Sequence, residues 1–304
     1  MKKTIGLILS MNLVLCSAQD LTSKKGEPIL PEAKDWSIGI DATPFLNYAG
    51  NLLSGSGSSN QANWNFLSSD KTIIGKYFKD EKTAYRGTLR IGINNRSDSK
   101  KVYKPTTATP TFPAILTTTE DKAKYTRSYV GLGFGMEKRR GRTRLQGYYG
   151  ADLMIWFTSS KRTYTYGNDL NPTGTPAVTV MDPNYSSQWN DSISFFGGNI
   201  VKDTYGNDAR VTESKSGVTF GMGVRGFIGA EYFIFPKISV AGEFGWGVAF
   251  TTGARTSVKT ESINNTDVGE QTILGGKSGG SFMLDTDRNM FGTGSGSLRL
   301  NLHF

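Results

Sequence analysis

Cysteine and histidine are nearly missing: one of each occurs in 304 residues. Cys16 falls inside an N-terminal leader. The processed chain is therefore expected to hold no thiol, which excludes a disulfide framework and cysteine catalysis. His303 stands one residue from the end of the sequence. That position leaves no histidine-rich metal site and little scope for histidine acid–base chemistry. Apolar residues are also scarce, at 37%. A water-excluded core normally takes a larger share, whereas a hollow or polar-filled architecture needs fewer buried apolar side chains. Past the leader, no apolar run approaches the about 18 residues that mark a membrane-crossing helix. The net charge is +9, yet the basic residues do not gather on one face, apart from Lys138, Arg139, Arg140, Arg142 and Arg144. An anionic membrane surface suits that balance better than nucleic acid.

What is abundant is glycine, at 37 residues, and aromatic side chains, at 12%. The first 19 residues read MKKTIGLILSMNLVLCSAQ. Lys2 and Lys3 form a positive n-region, and Ile5 to Leu15 an apolar h-region. Small residues at Cys16 and Ala18 predict a signal peptide over 1–18. A lipoprotein reading of Cys16 is disfavoured because the large Leu15 precedes it. Residues 19–34 are polar and carry Pro28 and Pro31, so a short exposed periplasmic tail is expected there.

From residue 35 to 304, stretches of period-two alternation take turns with polar stretches. The alternating stretches cover 35–48, 71–78, 83–95, 128–138, 143–157, 217–233, 237–250 and 295–304. In 83–95, Tyr85, Leu89, Ile91 and Ile93 oppose Arg86, Thr88, Arg90 and Asn94. In 237–250, Ile238, Val240, Phe244, Trp246, Val248 and Phe250 oppose a set that includes Glu243. Connections at 79–82, 139–142 and 234–236 are tight, while 49–70, 96–127, 158–216 and 251–294 are long and polar. Eight strands with short turns on one side and long loops on the other predict an all-β fold. The specific expectation is an eight-stranded antiparallel transmembrane up-and-down β-barrel, with short periplasmic turns and long extracellular loops. In lipid an unpaired backbone group costs several kcal/mol, so the strands must close.

Sidedness follows. The apolar set faces lipid and the ionic set faces a narrow interior, where unpaired charge would be costly and paired charge tolerable. The expected interior ion pairs draw on Asp41, Arg86, Arg90, Glu137, Asp152, Arg225, Glu231, Glu243 and Arg299. Lys76 has an ambiguous face, because the 79–82 turn permits two registers. Arg225 and Glu243 are expected almost opposite each other across the Phe235 turn, and Asp41 near Arg299 where the last strand meets the first. Trp36, Tyr48, Tyr77, Tyr129, Phe157, Tyr232, Phe233 and Phe250 lie near strand ends and are expected as interface girdles.

The hairpins GKYFKDEKTAYRGTLRIGI (75–93) and GAEYFIFPKISVAGEFGWG (229–247) and the terminal SLRLNLHF give the chain a resemblance to the small OmpA/OmpX-like outer-membrane barrels of Gram-negative bacteria. It is most similar to the versions common in the Bacteroidetes. The resemblance implies an outer-membrane location and contact with membrane lipid and lipopolysaccharide. It also implies handling by the barrel-assembly machinery, with Phe304 as the terminal assembly signal. Family members include structural proteins, adhesins, pores and lipid-modifying enzymes, so it does not choose a role. With the sequence ending at Phe304, no peptidoglycan-binding domain is expected.

Other motifs point nowhere chemical. Gly131-Leu-Gly-Phe-Gly135 continues as a strand, not the helix a dinucleotide fingerprint needs. Gly276-Lys277-Ser278 lacks the first glycine of a phosphate loop, since position 271 is Gln271. Asp152 with Glu243 as a carboxylate pair is outweighed by the arginines nearby. Loop 158–216 carries Asp169, Asp182, Asp191, Asp203 and Asp208 among Asn and Gly. Calcium binding there has no EF-hand spacing behind it, and glycosylation at Asp191-Ser192-Ile193 rests on three residues. Its aromatic content would also suit a protein interface. The expected role is non-enzymatic, with no cofactor and no catalytic or metal residues: a structural or interaction protein of the outer membrane, with other outer-membrane proteins as candidate partners. The alternative is a conduit for a small solute or hydrophobic ligand.

Overall fold

The computed structural model describes residues 21–42, 72–107, 112, 117–180, 200–285 and 296–304. The predicted leader (1–18), Tyr48, the 49–70 connection, Asp182 and the 191–193 motif lie outside these residues. The described chain is all β, without a helix. Its strands are β1 (Trp36–Asp41), β2 (Thr72–Asp80), β3 (Thr83–Tyr103), β4 (Thr118–Arg140), β5 (Leu145–Thr165) and β6 (Ile200–Lys202). They continue with β7 (Asp208–Phe235), β8 (Ile238–Thr251), β9 (Arg255–Asn264), β10 (Asp267–Lys277), β11 (Ser281–Asp285) and β12 (Gly296–His303).

All pairings are antiparallel within one sheet, and eight strands close on themselves in the order β7-β5-β4-β3-β2-β1-β12-β8, with β8 returning to β7. These are the eight alternating stretches of the sequence. Closure brings the last strand against the first, with Asp41 in register with Arg299. Two backbone bonds, Trp36 N to Phe304 O (2.8 Å) and Phe304 N to Trp36 O (2.9 Å), tie one end of the seam, and Ala42 N to Leu298 O (2.8 Å) ties the other.

Period-two alternation sorts each ring strand by face. On β4, Val130, Leu132, Phe134 and Met136 are exposed, whereas Gly131, Gly133 and Glu137 are buried. Ile91, Leu153, Val224 and Trp246 continue the exposed apolar band around the outside. Glycine makes room within. A Cβ at Gly245 would lie 2.3 Å from Arg225 Nη2, and one at Gly135 only 2.0 Å from Asp152 Oδ1.

The polar stretches differ from the expectation of loops. Residues 96–103, 118–127, 158–165 and 208–216 prolong β3, β4, β5 and β7, and 251–285 holds β9, β10 and β11. β7 alone has 28 residues. At about 3.3 Å each, that is far beyond the about 30 Å of a hydrocarbon layer. The prolonged strands stand above the ring as an upper wall, widened by β9 and β10. Here the pleat carries the opposite polarity. Ala123, Tyr164 and Val211 are buried on the face continuous with the ring interior, joined by Tyr125, Tyr166, Val201 and Val258. Lys122, Lys124 and Lys161 are exposed on the other face. The reach of these strands was missed because their outward positions are mostly polar, chiefly Lys, Ser and Thr. Lacking apolar residues there, the segments do not show the apolar alternation of the ring strands.

The 21–34 segment is likewise no free tail. Lys34 N donates to Phe78 O (2.7 Å) and Lys237 N to Ile29 O (3.3 Å), and Ile29 and Pro31 are buried. The segment thus ties the end of β2 to the β7–β8 turn, and Lys237 Nζ pairs with Asp35. The short turns hold themselves locally: Asp80 accepts from Lys82 N (2.8 Å), and Gly141 takes φ +139° before β5, a value that glycine reaches readily.

Candidate functional site: the ionic interior

Buried charge occupies the ring interior in two connected layers, alongside the apolar Tyr148, Met154, Trp156 and Phe227. In the upper layer Glu243 of β8 collects three guanidinium groups. Arg225 Nη1 lies 2.7 Å from Oε1, Arg86 Nη1 2.8 Å from Oε2, and Arg299 donates to both oxygens at 2.8 and 2.9 Å. Asp152 stands behind them, 3.4 Å from Arg86 Nε and 3.5 Å from Arg225 Nη1. One carboxylate thereby links β3, β7 and β12 to β8. Phe227 floors this layer, with the Arg86 guanidinium 3.9 Å from its ring centre.

The lower layer, towards the short turns, pairs Lys76 with Glu137 (2.9 Å) and Arg139 with both Glu231 (2.6 Å) and Glu137 (2.8 Å). Asn301 donates to Glu231 (2.6 Å), and Ser239 also bonds it. The layers meet where Arg86 Nη1 comes 3.7 Å from Glu137. Beneath them Phe78 and Phe233, both fully buried, flank the His303 ring at 5.6 and 5.2 Å.

Every expected interior residue whose side chain is described is buried: Arg86, Arg90, Glu137, Asp152, Arg225, Glu231, Glu243 and Arg299. Asp41 is placed by its backbone register alone. Arg90 lies higher, 4.4 Å over the Tyr129 ring. Two cations of the network went unassigned in the sequence. Lys76 is inward, so the register that buries it holds. Arg139 was counted as turn, but β4 runs on to Arg140, and the alternation that buries Glu137 carries Arg139 inward too. Arg225 and Glu243 are not cross-strand partners. Arg225 is opposite Gly247 and Glu243 opposite Gly229, and the arginine side chain spans the offset. Of the expected girdle, Tyr129 and Phe233 point inward, whereas Trp36, Phe157, Tyr232 and Phe250 are exposed. Tyr85, Tyr149, Phe235 and Phe304, not anticipated there, are exposed as well.

The chemistry available to this network is electrostatic cross-bracing. Asp152 and Glu243 share the same two arginines, which removes the like-charge tension that a carboxylate pair would need for acid–base work. Ser239, His303 and Glu231 form a grouping of nucleophile, base and acid types. However, the serine and the glutamate both approach the same ring nitrogen, Nε2, at 3.1 and 3.3 Å. A working triad places the acid on the other nitrogen, and all three groups are buried without access for a substrate. Outside the ring, Asp203 accepts from Tyr205 N, Asn207 N and Ser262 Oγ, and Asp208 pairs with Lys202 at 2.8 Å. Among the described residues no group of three or more His, Cys, Asp or Glu is placed to hold a metal ion.

No protein-family model matches this sequence, and no curated protein matches it either.

Proposed function

We propose that the chain is an integral outer-membrane β-barrel whose role is structural or interactive, with the upper wall as its presenting surface and the ionic interior as a permanent plug. The observation that carries this reading is the exchange of polarity along unbroken strands. On β4, outward positions change from Met136, Phe134, Leu132 and Val130 to Lys124, Lys122 and Glu120, while inward ones change from Glu137 to Tyr125 and Ala123. One strand meeting two solvents explains that pattern. A wholly aqueous protein would leave the lower outer band, with Phe134 63% exposed, in water for no gain. Hydrocarbon requires the band, and it requires the closed pairing that leaves no edge.

The test combines fractionation, gel mobility and conductance. The chain is expected in the outer-membrane fraction, β-rich in detergent, with different boiled and unboiled mobilities, and without conductance above background in planar bilayers. A random-coil or helical spectrum in detergent would overturn the fold placement. Steady single-channel conductance would overturn the plug and favour the solute-conduit alternative. Phe304 is exposed, and its backbone is bonded to Trp36, which suits a terminal recognition signal. Deleting it is expected to lower membrane levels several-fold while leaving the ionic interior intact. Unchanged levels would remove that role.

A further inference from the structure

Immediately above the apolar band, the outer face of the wall concentrates lysine in a way that sheet stability alone does not explain. Successive outward rows can be followed across β4, β5, β7 and β9. Val130 pairs with Phe157, then Ser128 with Ser159, then Thr126 with Lys161. Lys161 pairs in turn with Lys215, two like charges directly opposite on neighbouring strands, an arrangement that is destabilising when left alone. The next row runs Lys124, Thr163, Glu213, Lys259. Four lysines thus border a single carboxylate, and Glu213 is committed to Lys161 at 2.6 Å. Lys124, Lys215 and Lys259 are exposed around that pair.

We infer that Lys124, Lys161, Lys215 and Lys259 form a binding site for the phosphate-bearing headgroup of an anionic membrane lipid. The inference rests on the membrane reading above and adds a ligand class and an address to it. Depth supports it. Four residues separate the Val130–Phe157 row from the Lys161 row along the strand, or about 13 Å. With the usual tilt of about 40° that is about 10 Å of height, at the level of the headgroups bordering the hydrocarbon. Charge complementarity supports it as well: the patch carries four positive charges and one negative on a face continuous with the lipid-facing band. A dianionic phosphate between Lys161 and Lys215 would turn their repulsion into binding. Lysine suits this task as a compact charge on a flexible stem, able to reach down to the interface.

The full chain in dodecyl maltoside micelles is titrated with diphosphoryl lipid A and bound lipid is counted by native mass spectrometry. The comparison is a variant carrying Lys124→Ser, Lys161→Ser, Lys215→Ser and Lys259→Ser. A charge-matched control carries Lys24→Ser, Lys25→Ser, Lys79→Ser and Lys82→Ser, at exposed positions of the opposite end. The expected result is roughly tenfold or greater loss of affinity in the first variant, no loss in the control, and no comparable binding of phosphate-free lipid A. Equal loss in both variants, or none in the first, overturns the site. Displacement of bound lipid A by millimolar inorganic phosphate overturns its assignment to a lipid headgroup. Insertion of the native chain into phosphatidylcholine vesicles separates the two readings. Insertion with unselective lipid A binding sinks the headgroup site alone, and failure to insert sinks the membrane reading with it.

Discussion

The ring and the wall above it are built from the same strands and the same pleat, yet they are held together from opposite sides. In the ring the interior is dominated by ion pairs and the exterior is apolar; in the wall the inward face carries an aromatic and aliphatic cluster beside buried Asp121, Thr260 and Ser262, and the exterior is basic. Backbone pairing continues through both, without a break between β4 and β5 from Arg140 to Lys122. The secondary structure therefore does not register the change of polarity, while the side chains carry it. A strand is indifferent to which face is greasy, because its hydrogen bonds lie in the plane of the sheet. What differs is how each half resists opening. The ring has no edge, and Glu243 draws four of its strands together. The wall is an open sheet that ends at β10 among the described residues, with a small aromatic and aliphatic cluster and a few side-chain bonds to the 166–180 and 200–207 segments. Local opening is expected to begin in the wall.

The sharpest way to break this comparison is to remove the carboxylate at its centre. Glu243→Gln leaves Arg86, Arg225 and Arg299 clustered without their shared anion, Asp152 being left to face two of them. Breaking a buried ion group from one side costs about 3–5 kcal/mol, expected as a loss of that size in urea unfolding from lipid vesicles. Glu261→Gln in the wall unpairs only Arg210, which keeps its bond to Asn168 O at 2.8 Å, so a milder effect is expected. Equal effects would mean that the interior network does not brace the ring.

A second contrast tests the outer face. Val224 is outward and half exposed within the apolar band, and Val224→Arg is expected to destabilise by about 2–4 kcal/mol in a bilayer. Thr163 is outward in the wall, among lysines. Thr163→Arg should stay within about 0.5 kcal/mol, as a surface change does in water. Comparable losses at the two sites, measured by the same vesicle unfolding assay, would overturn the proposed solvent boundary between them.

The ring was legible in the sequence because two strong signals coincide there: apolar residues at every second position, and charges at the intervening ones. Residues such as Leu132 and Glu137 could be assigned to faces without any partner in view. The errors and the one open face cluster where one signal is lost. Lys76, whose face was left open, and Arg139, counted as turn, border turns, where a shift of one residue reverses the face. Tyr129 and Phe233 are aromatic residues near strand ends, but parity rather than residue type decides their direction, and both have inward parity. The wall went unread because its outward set is polar; its inward signal, Ala123, Tyr125, Tyr164 and Val211, is dispersed over three strands that only the fold brings together. The diagonal contact between Arg225 and Glu243 was anticipated for the wrong reason, since a long side chain bridges an offset that the register itself does not close.

The smallest expected effect is confined to the wall and comes from acid. Asp203 opens the β6–β7 turn, and burial there opposes its charge. That opposition is outweighed by the amide of Asn207, the hydroxyl of Ser262 and the amide of Tyr205, which together hold the carboxyl below the usual aspartate range. A carboxylate with a depressed folded-state pKa stabilises the fold fully above its unfolded value of about 3.9. The contribution fades as pH falls through the lower folded-state value. Lowering the pH below about 4 is therefore expected to reduce hydrogen-exchange protection at the Tyr205 and Asn207 amides, after correction for intrinsic exchange, while the β4 amides beside Leu132 serve as the ring reference. Asp203→Asn should show reduced protection of the same two amides already at neutral pH and little further change on acidification. Protection that falls equally at Leu132 and Asn207, or that ignores pH in the native chain, would show that the wall and the ring open as one unit.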